Sequence, residues 1–294
     1  MLIPLFLSLV SLCSATTLPP GFVVRQFGHT RDKVTSMKIE QKTALGQDGE
    51  TFNETIYFLK PSSFKVIVEK GGESATLVRK GSECELSSSG KRISGVSCGG
   101  IKSNFYYNIL LPYGSALDYF RSLNIDTKDG LVSIKKTEEG EYISPDNTII
   151  FRDDKTPMFI VGLDRNIYTT AVEDSRSEKE MLQSTLQSIK EKSPQIWVNK
   201  SDFTPLRVYG KKNSGDTIEI LLSSYIKDAN EVPFPGKVAL YINGQEKASY
   251  LTKSFESNPQ ITESLFGTST QQATDISALS ENKKKLVEYL RDYR

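Results

Sequence analysis

Residues 53–86 of this 294-residue chain, NETIYFLKPSSFKVIVEKGGESATLVRKGSECEL, contain three stretches in which apolar and polar side chains alternate. Alternation of this kind predicts β-strands with one apolar face, because successive side chains of a strand point to opposite sides of the sheet. Pro61 separates the first stretch from the second, and the glycine pair Gly71-Gly72 supplies a turn before the third. The segment therefore predicts a meander of antiparallel strands with one face suited to a dry environment.

The same alternation occurs on both sides of this segment. The Asn243-Gly244 pair lies between two alternating runs and supplies the positive φ angles of a type I′ turn, which predicts a hairpin. The remaining strand-like stretches are 34–44, 130–136, 141–153, 157–163, 195–199, 205–212, 217–228 and 236–255. A chain with so many strand signals and few helical ones predicts an α+β fold built on a large antiparallel sheet.

Apolar residues follow helical spacing in three places, namely 104–124 (split by Pro112 and Gly114), 175–193 and 276–294. The first segment is rich in aromatic residues, so its helices must dock on another surface. The second has a narrow apolar stripe typical of a helix in contact with solvent. The last follows a linker-like stretch at 267–275 and carries its apolar residues on one side, namely Leu279, Leu286, Leu290 and Tyr293.

The first residues predict export. An apolar run from Leu2 to about Leu12 is followed by small residues, which gives a signal peptide at 1–15 with cleavage after Ala15. The run is too short to cross a bilayer, which requires about 20 apolar residues. No Lys or Arg precedes it, which is unusual for a signal peptide, and a lipidated Cys13 is the rival interpretation.

After removal of Cys13, two cysteines remain, Cys84 and Cys98. An even pair in an exported protein predicts a disulfide, and the residues between the two look like a hairpin that brings the thiols together. The absence of a CxxC spacing favours a structural over a redox role.

Few residues suggest catalysis or nucleic-acid binding. The lone histidine, His29, has no second histidine and no cysteine or carboxylate pair at ligand spacing, so no metal site is expected and a surface position is predicted. No phosphate-binding loop, nucleophile elbow or cofactor motif occurs, so we expect neither a cofactor nor enzyme activity. Lys and Arg total 37 against 36 Asp and Glu, so net charge predicts no attraction to nucleic acid or to an anionic membrane.

Two stretches together resemble periplasmic outer-membrane lipoprotein-sorting proteins of the LolA-like family. The first is the ETIYFLKPSSFKVIVEK run, where a strand ends in a basic residue plus proline and the next strand begins with an aromatic residue. The second, at 194–266, has in order an aromatic-containing strand, DFTPLR, PFP, a hairpin and an NP…SLF finish. The resemblance covers about residues 30–266 and rests on the order of weak motifs.

The resemblance implies a LolA/LolB-like fold, a strongly curved antiparallel sheet that forms an incomplete β-barrel, with helices over its concave face. It also implies an apolar cavity for acyl chains, with the helices near 104–124 as a lid. Lys60 stands where carriers of this family have an arginine implicated in cargo handling, and lysine lacks the planar fork of arginine. The candidate cavity residues are Phe52, Ile56, Phe58, Phe64, Val66, Val68, Ile109, Leu117 and Phe120.

The predicted organisation is therefore a signal peptide at 1–15, a carrier-like domain at 16–266 with an inserted helix at 175–193, a linker at 267–275 and a C-terminal amphipathic helix at 276–294. The predicted function is a periplasmic, monomeric carrier or chaperone for the acyl chains of lipids or lipoproteins, acting in outer-membrane lipoprotein sorting. Membrane-bound donor and acceptor proteins are its possible partners. Two alternatives remain open: a non-enzymatic envelope sensor or assembly module on the same fold, and an unrecognised hydrolase. The same apolar residues could also simply form a packed core.

Overall fold

The computed structural model describes residues 20–46, 49–94, 113–127, 131–133, 158–162, 194–267 and 273–293. Three α-helices lie in these ranges: α1 (Pro20–Asp32), α2 (Tyr113–Ser122) and α3 (Glu281–Tyr293). The strands are β1 (Ser36–Leu45), β2 (Thr51–Leu59), β3 (Ser63–Lys70), β4 (Glu73–Lys80), β5 (Glu83–Ser88), β6 (Lys91–Arg92), β7 (Leu131–Ser133), β8 (Met158–Val161), β9 (Gln195–Asn199), β10 (Pro205–Lys211), β11 (Thr217–Ser223), β12 (Ile226–Lys227), β13 (Pro233–Phe234), β14 (Lys237–Ile242) and β15 (Gln245–Ser257). Short 3-10 turns occupy Glu263–Phe266 and Ile276–Ala278.

Thirteen of the described strands form one sheet in the order β6-β5-β4-β3-β2-β1-β15-β14-β11-β10-β9-β8-β7, and every neighbouring pair is antiparallel. Within the described ranges the edge strands β6 and β7 do not pair with each other, so the sheet is open. A sheet with this many strands coils because each strand carries a right-handed twist. The predicted fold class, a curved antiparallel sheet that does not close and carries helices on its concave face, is confirmed.

The alternation noted in the sequence sets which side chains face the helices. Along β2, Phe52, Glu54, Ile56 and Phe58 are buried, while the residues between them are exposed or half-buried. We call the sheet face that carries these buried residues the inner face, and the opposite face the outer face. The inner-face residues of β1–β5, β8–β11, β14 and β15 share one continuous core with Phe234 of β13 and with residues of all three helices.

The helices cover two parts of the inner face. Helix α3 packs on β3, β4 and β5, near one edge of the sheet, while α1 packs against α2 and β8, near the other. Gly210 of β10 permits one close approach, because a Cβ there would lie 2.4 Å from the Cβ of Leu123, just after α2. The backbone N–H of Lys211 donates to the carbonyl of Leu123 at 3.0 Å and fixes this junction.

The predicted hairpin at Asn243-Gly244 is confirmed. The β14–β15 hairpin turns at Asn243 and Gly244, with φ values of 53° and 74°, as a type I′ turn requires. Helix α1 was not predicted, because the sequence patterns assign no element to Pro20–Asp32. Its Val23 and Val24 are buried, and a proline occupies its first position, as is common in helices. The predicted strand at 141–153 and helix at 175–193 lie outside the described residues.

Candidate functional site

Six of the nine candidate cavity residues lie together on the inner face of β2 and β3. Ile56 is paired with Val66, and Phe58 with Phe64. Phe64 is half-buried against the core, and the other five are at most 7% exposed, namely Phe52, Ile56, Phe58, Val66 and Val68. These residues form a continuous apolar wall, as the alternation predicts.

Helix α3 packs on β3, β4 and β5 and reaches the β2 part of this wall through Tyr289. Its apolar side buries Leu286, Val287 and Leu290 in the same core. The rings of Phe52 and Tyr289 meet edge to face, with centroids 4.5 Å apart and an interplanar angle of 66°. The Phe52 end of the surface predicted to receive an acyl chain is therefore occupied by the protein's own C-terminal helix.

A buried polar cluster joins α3 to the centre of the wall. The carboxylate of Glu54 accepts hydrogen bonds from Gln41 Nε2 at 2.5 Å and from Thr43 Oγ1 at 3.0 Å. The Tyr289 hydroxyl lies 3.2 Å from both oxygens of the same carboxylate and donates to it. All four side chains are at most 2% exposed. A buried carboxylate requires such donors, because an unsatisfied charge in a dry core is costly.

Exposed ion pairs hold the start of α3 to the sheet. Glu50, just before β2, pairs with Lys285 at 2.7 Å and with Lys70 at 3.1 Å. Hydrogen bonds from Lys285 and then Lys70 hold the pKa of the Glu50 carboxyl below its usual range. The Ser280 hydroxyl donates to Glu73 Oε1 at 2.7 Å. Each exposed pair contributes at most about 1 kcal/mol to stability, so these contacts help to orient α3 but add little to its stability.

The remaining candidates lie on the other helices or outside the described ranges. Phe120 is fully buried and Leu117 is half-buried, both on α2 and both part of the common core. Ile109 lies outside the described residues, as does the first half of the predicted lid. Helix α2 is the second half of the segment predicted to be a lid, and its role as a lid stays a prediction. Helix α3, for which no docking surface was predicted, packs on β3–β5.

Lys60 is half-exposed at the end of β2. Its ammonium donates to the backbone carbonyl of Asp32 at 2.8 Å, at the C-terminus of α1. A cation at this position satisfies a helix-end carbonyl and complements the helix dipole. Its predicted part in cargo handling stays a prediction.

The other predictions have separate outcomes. Cys84 lies half-buried on β5 and packs against the core, but Cys98 lies outside the described residues, so the disulfide pairing stays a prediction. His29 is exposed on α1, as predicted. Among the described residues, no cluster of three or more His, Cys, Asp or Glu side chains could hold a metal ion. In the same ranges, no helix has the length and apolar character needed to span a membrane.

Sequence alternation could have revealed the polar cluster. Glu54 stands between Phe52 and Ile56 on the apolar side of β2, and Gln41 and Thr43 occupy apolar-side positions of β1. A carboxylate at such a position predicts buried hydrogen-bond donors nearby. The pattern could not identify Tyr289 as one of them, since it lies more than 230 residues away.

Comparison with known proteins gives structural matches only, because no protein-family profile and no curated protein matches the chain. A domain named for outer-membrane lipoprotein sorting, from Vibrio parahaemolyticus, is 12% identical with a TM-score of 0.46, over 84% of this chain and 95% of that one. A LolA superfamily protein from Nitrosomonas europaea is 11% identical with a TM-score of 0.44, over 86% and 99%. A DUF1329 family protein from Desulfovibrio piger is 11% identical with a TM-score of 0.46, over 86% and 98%. Proteins named for the LolA superfamily and for outer-membrane lipoprotein sorting are thus among the solved structures to which this chain is similar.

Proposed function

We propose that the protein is an exported carrier or chaperone that binds the acyl chains of lipids or lipoproteins on the inner face of its sheet. In this proposal the acyl chain takes the place of α3 on the wall formed by Phe52, Ile56, Phe58, Val66 and Val68. The observation that carries the proposal is that one amphipathic helix at the end of the chain covers this wall.

The covering helix can give way because an acyl chain gains a similar free energy from the same core. Three aliphatic side chains of α3, Leu286, Val287 and Leu290, and the Tyr289 ring are buried there, and burial of each is worth about 1.5–3 kcal/mol, or about 6–12 kcal/mol together. An acyl chain with about 14 methylene groups gains about 11 kcal/mol on full burial, at about 0.8 kcal/mol per group. The gain from the chain is therefore comparable to the apolar hold of the helix, so an acyl chain can compete with α3, and no reactive group is needed.

The remaining parts of the proposal follow from the sequence. The signal-like segment at 1–15 supports export, and the LolA-like motifs support the periplasm as the site of action and membrane-bound proteins as donor and acceptor. The Cys84–Cys98 bridge belongs to the same proposal, since disulfides persist in oxidising compartments.

Binding of lipid by the whole mature protein tests the proposal. We expect native mass spectrometry of mildly purified protein to show a bound lipid, or titration with a fluorescent fatty acid to give a micromolar or lower Kd. Clean mass spectra together with no binding of the fatty acid would contradict a carrier. That result would leave the fold as an interaction module.

A further inference from the structure

A groove of about 520 Å³ crosses the outer face of the sheet, on strands β1, β15, β14 and β11. Two leucines and two lysines line it, together with the hydroxyls of Ser223 and Ser249. Leu251 is 49% exposed and Leu221 is 38% exposed, which are high values for leucines on interior strands of a sheet. The groove lies on the face opposite the wall and α3, so it is separate from the proposed acyl site.

Strand register places the two lysines on either side of one leucine. Leu251 of β15 is paired with Lys42 of β1 and with Lys237 of β14. Neighbouring strands lie about 4.8 Å apart, so the backbones of the two lysines are about 10 Å apart with Leu251 between them. Leu221 lies on the next strand, β11, and is paired with Ala239 of β14.

The groove is locally cationic although the chain is nearly neutral. None of its lining residues is acidic, and neither Lys42 nor Lys237 forms an ion pair with a described residue. Two nearby pairs on the same face compensate their own charges, namely Lys38 with Glu40 at 2.6 Å and Arg207 with Glu219 at 2.5 Å. The groove is therefore complementary to an anionic partner that also offers apolar surface.

The backbone of these strands is not available to a partner. Strands β1, β15, β14 and β11 are each paired on both sides, so an extended peptide cannot be added to the sheet here. Recognition must come from the lysine ammonium groups, the serine hydroxyls and the two leucines. A phospholipid has phosphate oxygens that accept from the ammonium groups and hydroxyls, and acyl carbons that contact the leucines.

We propose that this groove docks the protein on an anionic membrane surface. The ammonium groups of Lys42 and Lys237 each contact a lipid phosphate, and Leu221 and Leu251 contact the apolar part of the interface next to them. The lysine stems add apolar contact while their ammonium groups reach the headgroups. This inference is independent of acyl binding on the inner face.

Flotation of the full mature protein with vesicles tests the proposal. We expect binding to vesicles of phosphatidylcholine mixed with phosphatidylglycerol, weakening as NaCl is raised, and little binding to phosphatidylcholine alone. Each lysine near an anionic surface contributes about fivefold in affinity, so K42E/K237E should bind at least tenfold more weakly. The variant L221S/L251S should also bind more weakly, but with the salt dependence of the wild type.

The matched control is K91E/K211E, which changes the net charge by the same amount at two exposed lysines outside the groove. Thermal melts should show that all variants remain folded. Loss of binding in K42E/K237E but not in K91E/K211E supports the proposal. Equal binding by the two charge variants, or no binding of the wild type to anionic vesicles, overturns it. Unchanged fatty-acid affinity in K42E/K237E would show that the two sites are separate.

Discussion

Tyr289 of the C-terminal helix donates its hydroxyl to the buried carboxylate of Glu54 on β2, at 3.2 Å from each carboxylate oxygen. This contact joins the end of the chain to the centre of the apolar wall, where Gln41 and Thr43 also donate to Glu54. The contact is polar and sensitive to geometry, so it offers a direct way to loosen α3 without removing any apolar surface from the wall.

Tyr289→Phe should loosen α3 while leaving the ring packed against Phe52. Loss of a hydrogen bond to a charged group costs about 1.5–3 kcal/mol. Relative to the wild type, we expect a lower free energy of unfolding and tighter binding of a fluorescent fatty acid. We also expect amide hydrogen exchange to speed up more within residues 281–293 than within β2. The control is Tyr57→Phe, on the outer side of β2. Unchanged exchange in α3 would show that this hydrogen bond does not hold the helix.

Lys60→Glu should separate a cargo role from a structural one. The carboxylate would face the C-terminus of α1, where the lysine now donates to the Asp32 carbonyl, and a misplaced charge at a helix end costs about 0.3–1 kcal/mol. We therefore expect Tm to fall by only a few degrees, while the transfer of a fluorescent acyl chain between protein and vesicles slows several-fold. Lys60→Arg should retain the wild-type transfer rate. A large loss of stability with unchanged transfer would make Lys60 a structural residue.

Gly210→Ala should destabilise the junction between α2 and β10. The new Cβ would lie 2.4 Å from the Leu123 Cβ and 2.7 Å from the Leu123 carbonyl oxygen, so backbone must shift. Overpacking of this kind costs about 1–3 kcal/mol and should appear as a lower midpoint in urea unfolding. Gly21→Ala is the control, because its Cβ would lie 4.0 Å from the Thr127 carbonyl oxygen, an ordinary contact, and alanine favours a helix. If Gly210→Ala unfolded at the same urea concentration as the wild type, the close approach of Gly210 to Leu123 would be contradicted.

Asp228→Asn should reduce stability in a pH-dependent way. Partial burial raises the pKa of the Asp228 carboxyl, because it disfavours the ionised form. Hydrogen bonds from Ser257, Val232 and Asn230 outweigh burial and hold this pKa below the ordinary value of 3.8. A lowered pKa in the folded state adds stability that is fully present above the unfolded-state pKa and is lost as pH falls through the folded-state pKa.

Urea unfolding of both proteins between pH 3 and pH 7 checks this prediction. We expect the wild type to exceed Asp228→Asn by about 1–3 kcal/mol at pH 7, and the difference to shrink below about pH 4. Asp118→Asn, at an exposed position of α2, removes the same charge and should change stability little. A difference that stays constant across this pH range would contradict the role of the ionised carboxylate.

Strands were predictable from the sequence because their signal is local. Alternation in β1–β5 and the Asn243-Gly244 turn specify both the strands and the face that each side chain occupies. The order of these strands in the sheet depends on pairings between distant segments, such as β1 with β15, and no sequence pattern indicated it. Helix α1 was missed because Pro20–Asp32 is short in apolar residues and contains two glycines, which disfavour a helix.

The candidate site was predictable in part for the same reason. The apolar wall on β2 and β3 follows from alternation, whereas its cover depends on where a distant helix docks. The predicted apolar side of α3 included Leu286 and Leu290, which are buried, but it did not include Val287 and Tyr289, which are buried as well. The Tyr289–Glu54 contact could not be predicted, since neither residue alone indicates the other.

Locking α3 to the sheet is the most direct test of the central claim that an acyl chain replaces this helix on the wall. Glu50 and Lys285 form an exposed pair at 2.7 Å, so E50C/K285C can be joined by a short bis-maleimide. Treated wild type and treated K285C report any reaction at other thiols. If the claim is right, the cross-linked protein binds a fluorescent fatty acid at least tenfold more weakly than the same variant before cross-linking. Equal binding before and after cross-linking would contradict the claim.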